Sequence, residues 1–294
     1  MTGSTARAGV RDWLSLVKFS HTVFALPFAL IALLVAAKGR PEPAVLGLVV
    51  VAMAAARSAA MAYNRYADRT IDAENPRTQG REIPRGVLGP GAVLVFTAVC
   101  SGVFVGAAAL LGPACLWLSV PTLAVLLGYS HAKRFTSLAH LWLGLALGIA
   151  PVAAWLAVRG VFTTDILAAV VLGVGVMVWV AGFDILYACQ DEEFDRARGL
   201  HSIPVRLGAA GALALARVLH VLAMLGFVGF ALGTGRGAAF YAGLAGAGLL
   251  LAAQHRLVRP GDLARIDMAF FTMNGSVGLL LLAATAADLY LFGG

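Results

Sequence analysis

Charge is what this chain has least of. Only 13% of its 294 residues are Asp, Glu, Lys or Arg, against about 25% in an ordinary soluble domain. Cysteine is nearly absent too. Cys100, Cys115 and Cys189 form no CxxC or other ligand spacing, which excludes a disulfide scaffold and a thiolate zinc site and leaves them as small apolar helix residues. Alternating ten-residue segments are missing, so an outer-membrane barrel is excluded. Heptads, linkers and a soluble domain are missing as well, so residues 1–294 read as one transmembrane domain. The net charge of +7 comes from short loops and not from one stripe, which argues against nucleic acid, and no obligate protein partner is inferred.

What is abundant is apolar: 60% of the residues are hydrophobic and the mean hydropathy is +0.86. Runs long enough for helices of roughly 20 residues predict an all-α integral membrane protein. Nine spans are expected: Phe19–Ala37, Pro43–Tyr63, Gly91–Leu111, Pro113–Tyr129, Leu138–Val158, Ile166–Ala188, Ala209–Leu232, Gly237–Ala253 and Met268–Phe292. The first run has no clear cleavage site and eight runs follow it, so it reads as a retained span and not as a signal peptide. Many of the 34 glycines lie within these runs, where small side chains let membrane helices approach closely.

Loop charge gives the orientation. Of the 22 Lys and Arg, sixteen fall in loops on one side, four (Lys38, Arg40, Arg159, Arg236) on the other, and Arg57 and Arg217 lie inside spans. The positive-inside rule then predicts a cytoplasmic N-terminus in the cell (inner) membrane. The loops 64–90 and 188–208 face the cytoplasm.

Those two loops carry the chemistry. After the second span, Asn64, Asp68 and Asp72 follow one another at steps of four, one face of a continuing helix, and Arg77, Arg81 and Arg85 come next. After the sixth, Asp184, Tyr187, Asp191 and Asp195 share a face if the helix runs on. Each set is followed by an Ile-Pro step, at Ile83 and at Ile203, a weak echo that suggests duplicated halves. An ordinary solvated loop would account for either set alone, but matched spacing on one side asks for more. Four carboxylates brought together repel unless cations compensate. Mg²⁺, with its oxygen ligands and its habit of bridging carboxylates to phosphates, is the compensator this chemistry favours, and arginine forks suit a diphosphate. A third basic motif runs from Tyr129 through Lys133 and Arg134. Arg57 lies within an apolar run, so a carboxylate partner is expected for it.

Asn64-Arg65-x2-Asp68-x3-Asp72, the following Arg-Thr and Ile-Pro-x-Gly, Tyr129-x3-Lys133-Arg134, and Asp191-x3-Asp195 with Gly199 and Ser202 resemble the UbiA superfamily of intramembrane prenyltransferases. The resemblance runs from Lys18 through the ninth span. KFSHTVFALPFAL, NPRTQGREIPRG and FDILYACQDEEFD look most like the 4-hydroxybenzoate polyprenyltransferase-like branch, some of whose members act on a dihydroxynaphthoate in menaquinone synthesis by the futalosine route. His131 departs from that pattern, where many relatives carry an aromatic residue.

The resemblance implies about nine helices around a central cavity, a polyprenyl diphosphate donor, an aromatic acid acceptor, Mg²⁺, and a tail left in membrane lipid. It makes the chain an aromatic polyprenyltransferase of ubiquinone or menaquinone biosynthesis. Asn64, Asp68 and Asp72 are assigned to one metal–diphosphate arm, Asp191 and Asp195 to the other. Arg65, Arg77, Arg81 and Lys133 are candidates for the diphosphate oxygens; Arg57, Lys18 and His21 for orienting the acceptor; Tyr129 for donating a hydrogen bond to the substrate; Asp184 and Tyr187 for placing the ring or relaying its proton. Two alternatives stay open: a secondary transporter of an anionic substrate, and another activity of the superfamily such as haem farnesylation. An alcohol phosphotransferase lacks support, because its DGxxAR signature is absent.

Overall fold

The computed structural model describes residues 9–17, 24–259 and 261–292, and these are helical apart from loops and one isolated bridge between Arg259 and Asp262. A short helix α1 (Val10–Leu16) precedes α2 (Leu26–Ala36), α3 (Pro43–Ala67), α4 (Arg69–Glu74), α5 (Pro90–Leu111), α6 (Pro113–Ala132), α7 (Ala139–Arg159) and α8 (Ile166–Ala188). A 3₁₀ turn (Cys189–Asp191) leads into α9 (Glu192–Ala197), followed by α10 (Ile203–Gly233), α11 (Ala238–Leu257), a π-helical turn (Met268–Met273) and α12 (Asn274–Tyr290). Proline occupies the first or second position of α2, α3, α5, α6 and α10, where its missing N–H costs nothing and its fixed φ suits the helix.

Among the described residues seven helices are long and apolar enough to cross a membrane: α3, α5, α6, α7, α8, α10 and α12 with its π turn. Shorter α2 and the less hydropathic α11 bring the apolar helices to the expected nine. The expected sixth span coincides with α8, whereas α3 continues beyond Tyr63 to Ala67. The expected start at Ala209 also has a counterpart: Gly208, at φ 68° and ψ 167°, breaks α10 between a lead-in turn and the long segment. Only glycine takes that φ without strain.

Consecutive apolar helices pack as neighbours from α5 round to α12, with α3 against α5 and α6, and α2 inside the arrangement against α7, α8 and α12. Its core is aromatic: Phe28, Trp179, Phe183, Phe227 and Phe230 are fully or almost fully buried. Glycine sets the closest approaches. A Cβ on Gly144 of α7 would lie 2.1 Å from the Met177 carbonyl oxygen of α8, and Gly148 and Gly173 stand in the same relation to each other, at 2.5 Å each way. These obstacles are backbone and cannot swing aside. Gly144→Ala is therefore expected to destabilise the protein by about 1–3 kcal/mol, read as a lower melting temperature in detergent. Gly102→Ala, which meets nothing within 4 Å, is expected to leave it unchanged.

Candidate active site

The two aspartate motifs converge at one end of the bundle, but not by way of continuous helices. α3 stops at Ala67, and Asp68 adopts φ −94°, ψ 4° as it caps the six-residue α4. α8 stops at Ala188, and Asp191 adopts φ −101°, ψ 3° as it caps the six-residue α9. The helices do not run on unbroken, the second motif passing through the 3₁₀ turn Cys189–Asp191, but the shared face survives. The N–H groups of Asp68 and Asp72 still donate to the carbonyls of Asn64 and Asp68, and Asn64, Asp68 and Asp72, like Asp184, Tyr187, Asp191 and Asp195, line one cavity. The duplication suggested by the spacing extends to the backbone.

Both motifs wall a polar cavity of about 210 Å³. Every motif aspartate there has a basic partner. Arg77 donates from Nε and Nη2 to the two carboxylate oxygens of Asp191, at 2.8 and 2.5 Å, and Asn75 Nδ2 donates to the same residue at 3.2 Å. Arg81 Nη1 reaches both oxygens of Asp72 at 2.6 and 2.7 Å. Lys133 Nζ stands 3.4 Å from Asp195, and Arg134 Nη2 stands 3.1 Å from Asp68, which also accepts from Asn64 Nδ2 at 2.9 Å. Burial and neighbouring Asp72 raise the Asp68 carboxyl above its ordinary range, against the opposing pull of Arg134 and Lys133. For Lys133, burial favours the neutral amine, but Asp195, Asp191 and Asp184 together outweigh it and raise its pKa.

Among the described residues no three His, Cys, Asp or Glu side chains stand together as a ready metal cluster. Within the chain itself Arg77, Arg81, Lys133 and Arg134 stand against the four carboxylates. The donor set nevertheless suits a hard cation: Asp68, Asp72, Asp191 and Asp195 with the amides Asn64 and Asn75 line one small cavity, and carboxylate and carbonyl oxygens are the ligands magnesium takes.

A second, apolar cavity of about 480 Å³ runs between α3, α5, α6, α7 and α8. Tyr129 and Leu143 belong to the walls of both cavities, so the polar mouth and the apolar chamber meet there. Arg57 lines the chamber and has no carboxylate partner among the described residues; its Nε is buried without a hydrogen bond. The expected partner is therefore corrected to none. Arg65, expected at the diphosphate, is buried in α3 and lies outside the lining of the polar cavity. Lys18 and His21 lie outside the described residues.

Tyr187 does line the polar cavity, with Arg77 over its ring at 5.4 Å and the Phe270 ring tilted against it at 4.3 Å. Phe270 belongs to the π turn, a local feature that recurs at functional sites. Asp184 lines the cavity too and pairs with His140 of α7 at 2.6 Å. Asn75, Thr78 and His140 complete the site and were not among the residues singled out from the sequence, and Arg134, named there within its motif, had been given no role. Asn75 was readable as the residue before Pro76, beside the first motif, and Arg134 as the second base of the Tyr129 motif. His140 had only its position, a lone imidazole at the edge of an apolar run.

An acid- and base-lined mouth meets a greasy chamber, both held among membrane-spanning helices, which is the setting of an intramembrane enzyme. Residues 25–276 match the UbiA prenyltransferase family, and the chain belongs to it: this is a multi-pass membrane prenyltransferase. Similar proteins include the 4-hydroxybenzoate octaprenyltransferases of Azoarcus sp. (strain BH72), 31% identical over 89% of each chain, and of Alkalilimnicola ehrlichii, 32% identical over 88% of this chain and 87% of that one. The apo structure of a UbiA homologue from Aeropyrum pernix K1 superposes with a TM-score of 0.84 at 34% identity, over 91% of this chain and 98% of that one. A UbiA homologue from Archaeoglobus fulgidus bound to GPP and Mg²⁺ shares the fold at a TM-score of 0.71 and 16% identity, over 95% and 99%.

Proposed function

We propose that this enzyme transfers a polyprenyl group from a polyprenyl diphosphate to a hydroxylated aromatic acid in quinone synthesis, at the cytoplasmic face of the cell membrane. The single observation that carries the reading is the junction at Tyr129 and Leu143, where the mouth with four acid–base pairs meets the apolar chamber. A prenyl diphosphate has that same division between a charged head and a hydrocarbon tail. The names of the curated relatives favour 4-hydroxybenzoate over a dihydroxynaphthoate as the acceptor. Transport of an anion is disfavoured because the acids cluster at one end of the bundle, whereas transporter sites lie near the midplane.

Asn64, Asp68, Asp72, Asn75, Asp191 and Asp195 would hold Mg²⁺, which supplies Lewis-acid stabilisation of the departing diphosphate. Arg77, Arg81, Lys133 and Arg134 bind the diphosphate oxygens and stabilise the charge that gathers there as the allylic C–O bond breaks. The apolar walls keep water from the allylic cation, so that the electron-rich ring captures it and then loses its proton. Arg57, a cation with no carboxylate of its own among the described residues, pairs with the carboxylate of the acceptor. The new prenyl tail passes along the chamber into lipid, where its hydrocarbon surface stays out of water.

Membranes containing the protein, given 4-hydroxybenzoate or a dihydroxynaphthoate with labelled polyprenyl diphosphates of graded length, are expected to yield a C-prenylated acid identified by mass. Uptake of an anion into liposomes with no prenylated product would overturn the proposal. Arg57→Ala is expected to raise the acceptor KM by roughly 10–100-fold, the worth of a hydrogen bond to a charged group, with the donor KM little changed. Arg57→Lys is expected to recover only part of this, because an ammonium lacks the planar fork that matches a carboxylate.

A further inference from the structure

We infer that His140 is a positioning residue for the acceptor half of the reaction, acting through Asp184; this rests on the reading that Asp184 faces the aromatic acceptor. The ring of His140 is 1% exposed and sits between three elements. Its Nε2 is 3.3 Å from the backbone nitrogen of Ile203, the first residue of α10. A backbone N–H can only donate, so Nε2 is an acceptor and the ring proton sits on Nδ1. Nδ1–H then donates to Asp184 Oδ2, at 2.6 Å. The amide of Ile203 is one of those a helix start leaves without an internal partner, and this contact fixes both the tautomer and the plane of the ring.

Asp184 is placed for such help. It belongs to α8, two helical turns before Asp191, so it lies deeper than the aspartates of the mouth. Its side chain is 24% exposed and lines the polar cavity beside Tyr129, Leu143 and Tyr187, the junction where an aromatic ring would meet the head of the donor. With Oδ2 held by His140, the Oδ1 lone pairs are left for the acceptor hydroxyl. A carboxylate fixed in this way presents one oxygen at one angle; an unheld one rotates about its Cβ–Cγ bond and spreads its lone pairs over several directions. The contact costs the acceptor nothing, because His140 is ordered by the fold before any ligand arrives.

The test compares His140→Leu, His140→Asn and Asp184→Asn in the purified full-length enzyme, with a prenyl diphosphate and 4-hydroxybenzoate varied in turn. Asparagine retains a donor close to the position of Nδ1. His140→Leu is expected to lower kcat/KM for the acceptor about 10–100-fold with the donor KM unchanged, and His140→Asn to recover most of the loss. Asp184→Asn should cost at least as much as His140→Leu, and adding His140→Leu to it should cost less than threefold more. Unchanged acceptor kinetics in His140→Leu, equal losses for donor and acceptor, or full additivity in the double variant would overturn the inference. If His140→Leu does not survive extraction, a His140→Asn protein that melts normally yet loses tenfold or more overturns it instead. Wild-type enzyme that prenylates no 4-hydroxybenzoate defeats the functional proposal and this one with it. An active wild type with an indifferent His140 defeats this one alone.

Discussion

Asp191→Ala is expected to lower prenyl transfer by about 10³-fold while the protein remains folded. The carboxylate sits at the centre of the mouth, where Arg77 holds both its oxygens and Asn75 adds a third hydrogen bond. Its loss removes one of the four acids available to a hard cation and frees Arg77 and Asn75 to move from their places. Losing one preorganised group of this kind typically costs about 10²–10³ in rate, and here several positions shift together. Asp68→Ala should act similarly, because Asp68 gathers Asn64 and Arg134 on the opposite wall. Asp165→Ala, which removes an exposed ion pair with Arg159 at the other end of α7, serves as the control and should retain activity within about twofold, as surface pairs contribute little. Turnover measured with purified donor and acceptor, beside gel filtration in detergent, checks all three; near-normal rates in both Asp191→Ala and Asp68→Ala would remove the assigned diphosphate site.

Chelation is expected to abolish turnover and yet leave the melting temperature within about a degree. Four carboxylates in one small cavity would normally demand a metal merely to coexist. Here Arg81, Arg77, Lys133 and Arg134 already neutralise Asp72, Asp191, Asp195 and Asp68. With these charges paired inside the chain, removing a divalent cation is expected, on the proposed reading, to stop the reaction and spare the fold. Activity and thermal melts measured with EDTA, then after Mg²⁺ is restored, separate the two. A large fall in melting temperature would mean that the ion pairs do not suffice, and full activity in EDTA would mean that the carboxylates serve another purpose.

Much of this was legible in the chain itself. The spans stand out because lipid forces whole helices to be apolar, and α8 was expected at the bounds it has. Meeting of the two motifs was legible as well, since matched spacing on the same side of the membrane leaves few other arrangements. The breaks at Asp68 and Asp191 were not, because a single residue in the bridge region leaves no mark on helical periodicity. Nor were the partners. Arg77 and Asp191 are 114 residues apart and Lys133 and Asp195 are 62 apart, and local pattern says nothing of contacts made by packing. The same holds for Arg57, for which the cost of a buried cation implied an internal carboxylate when the site offers a chamber wall. His140 escaped notice because one imidazole in an apolar run gives no spacing to read.

The two jaws of the mouth share one build: a bent aspartate at nearly the same φ and ψ, then six helical residues with a second aspartate fourth in line. A diphosphate is likewise nearly the same from either end. Jaws so alike cannot by themselves tell the phosphate that bears the prenyl carbon from the one that does not. What lies deeper on the two parent helices is unlike: Arg57 on α3, Asp184 with its His140 on α7 and α8. On the proposed reading the donor's direction therefore comes from the chamber, which opens at Tyr129 and Leu143 and takes the hydrocarbon tail, while the unlike floor residues are left to the acceptor.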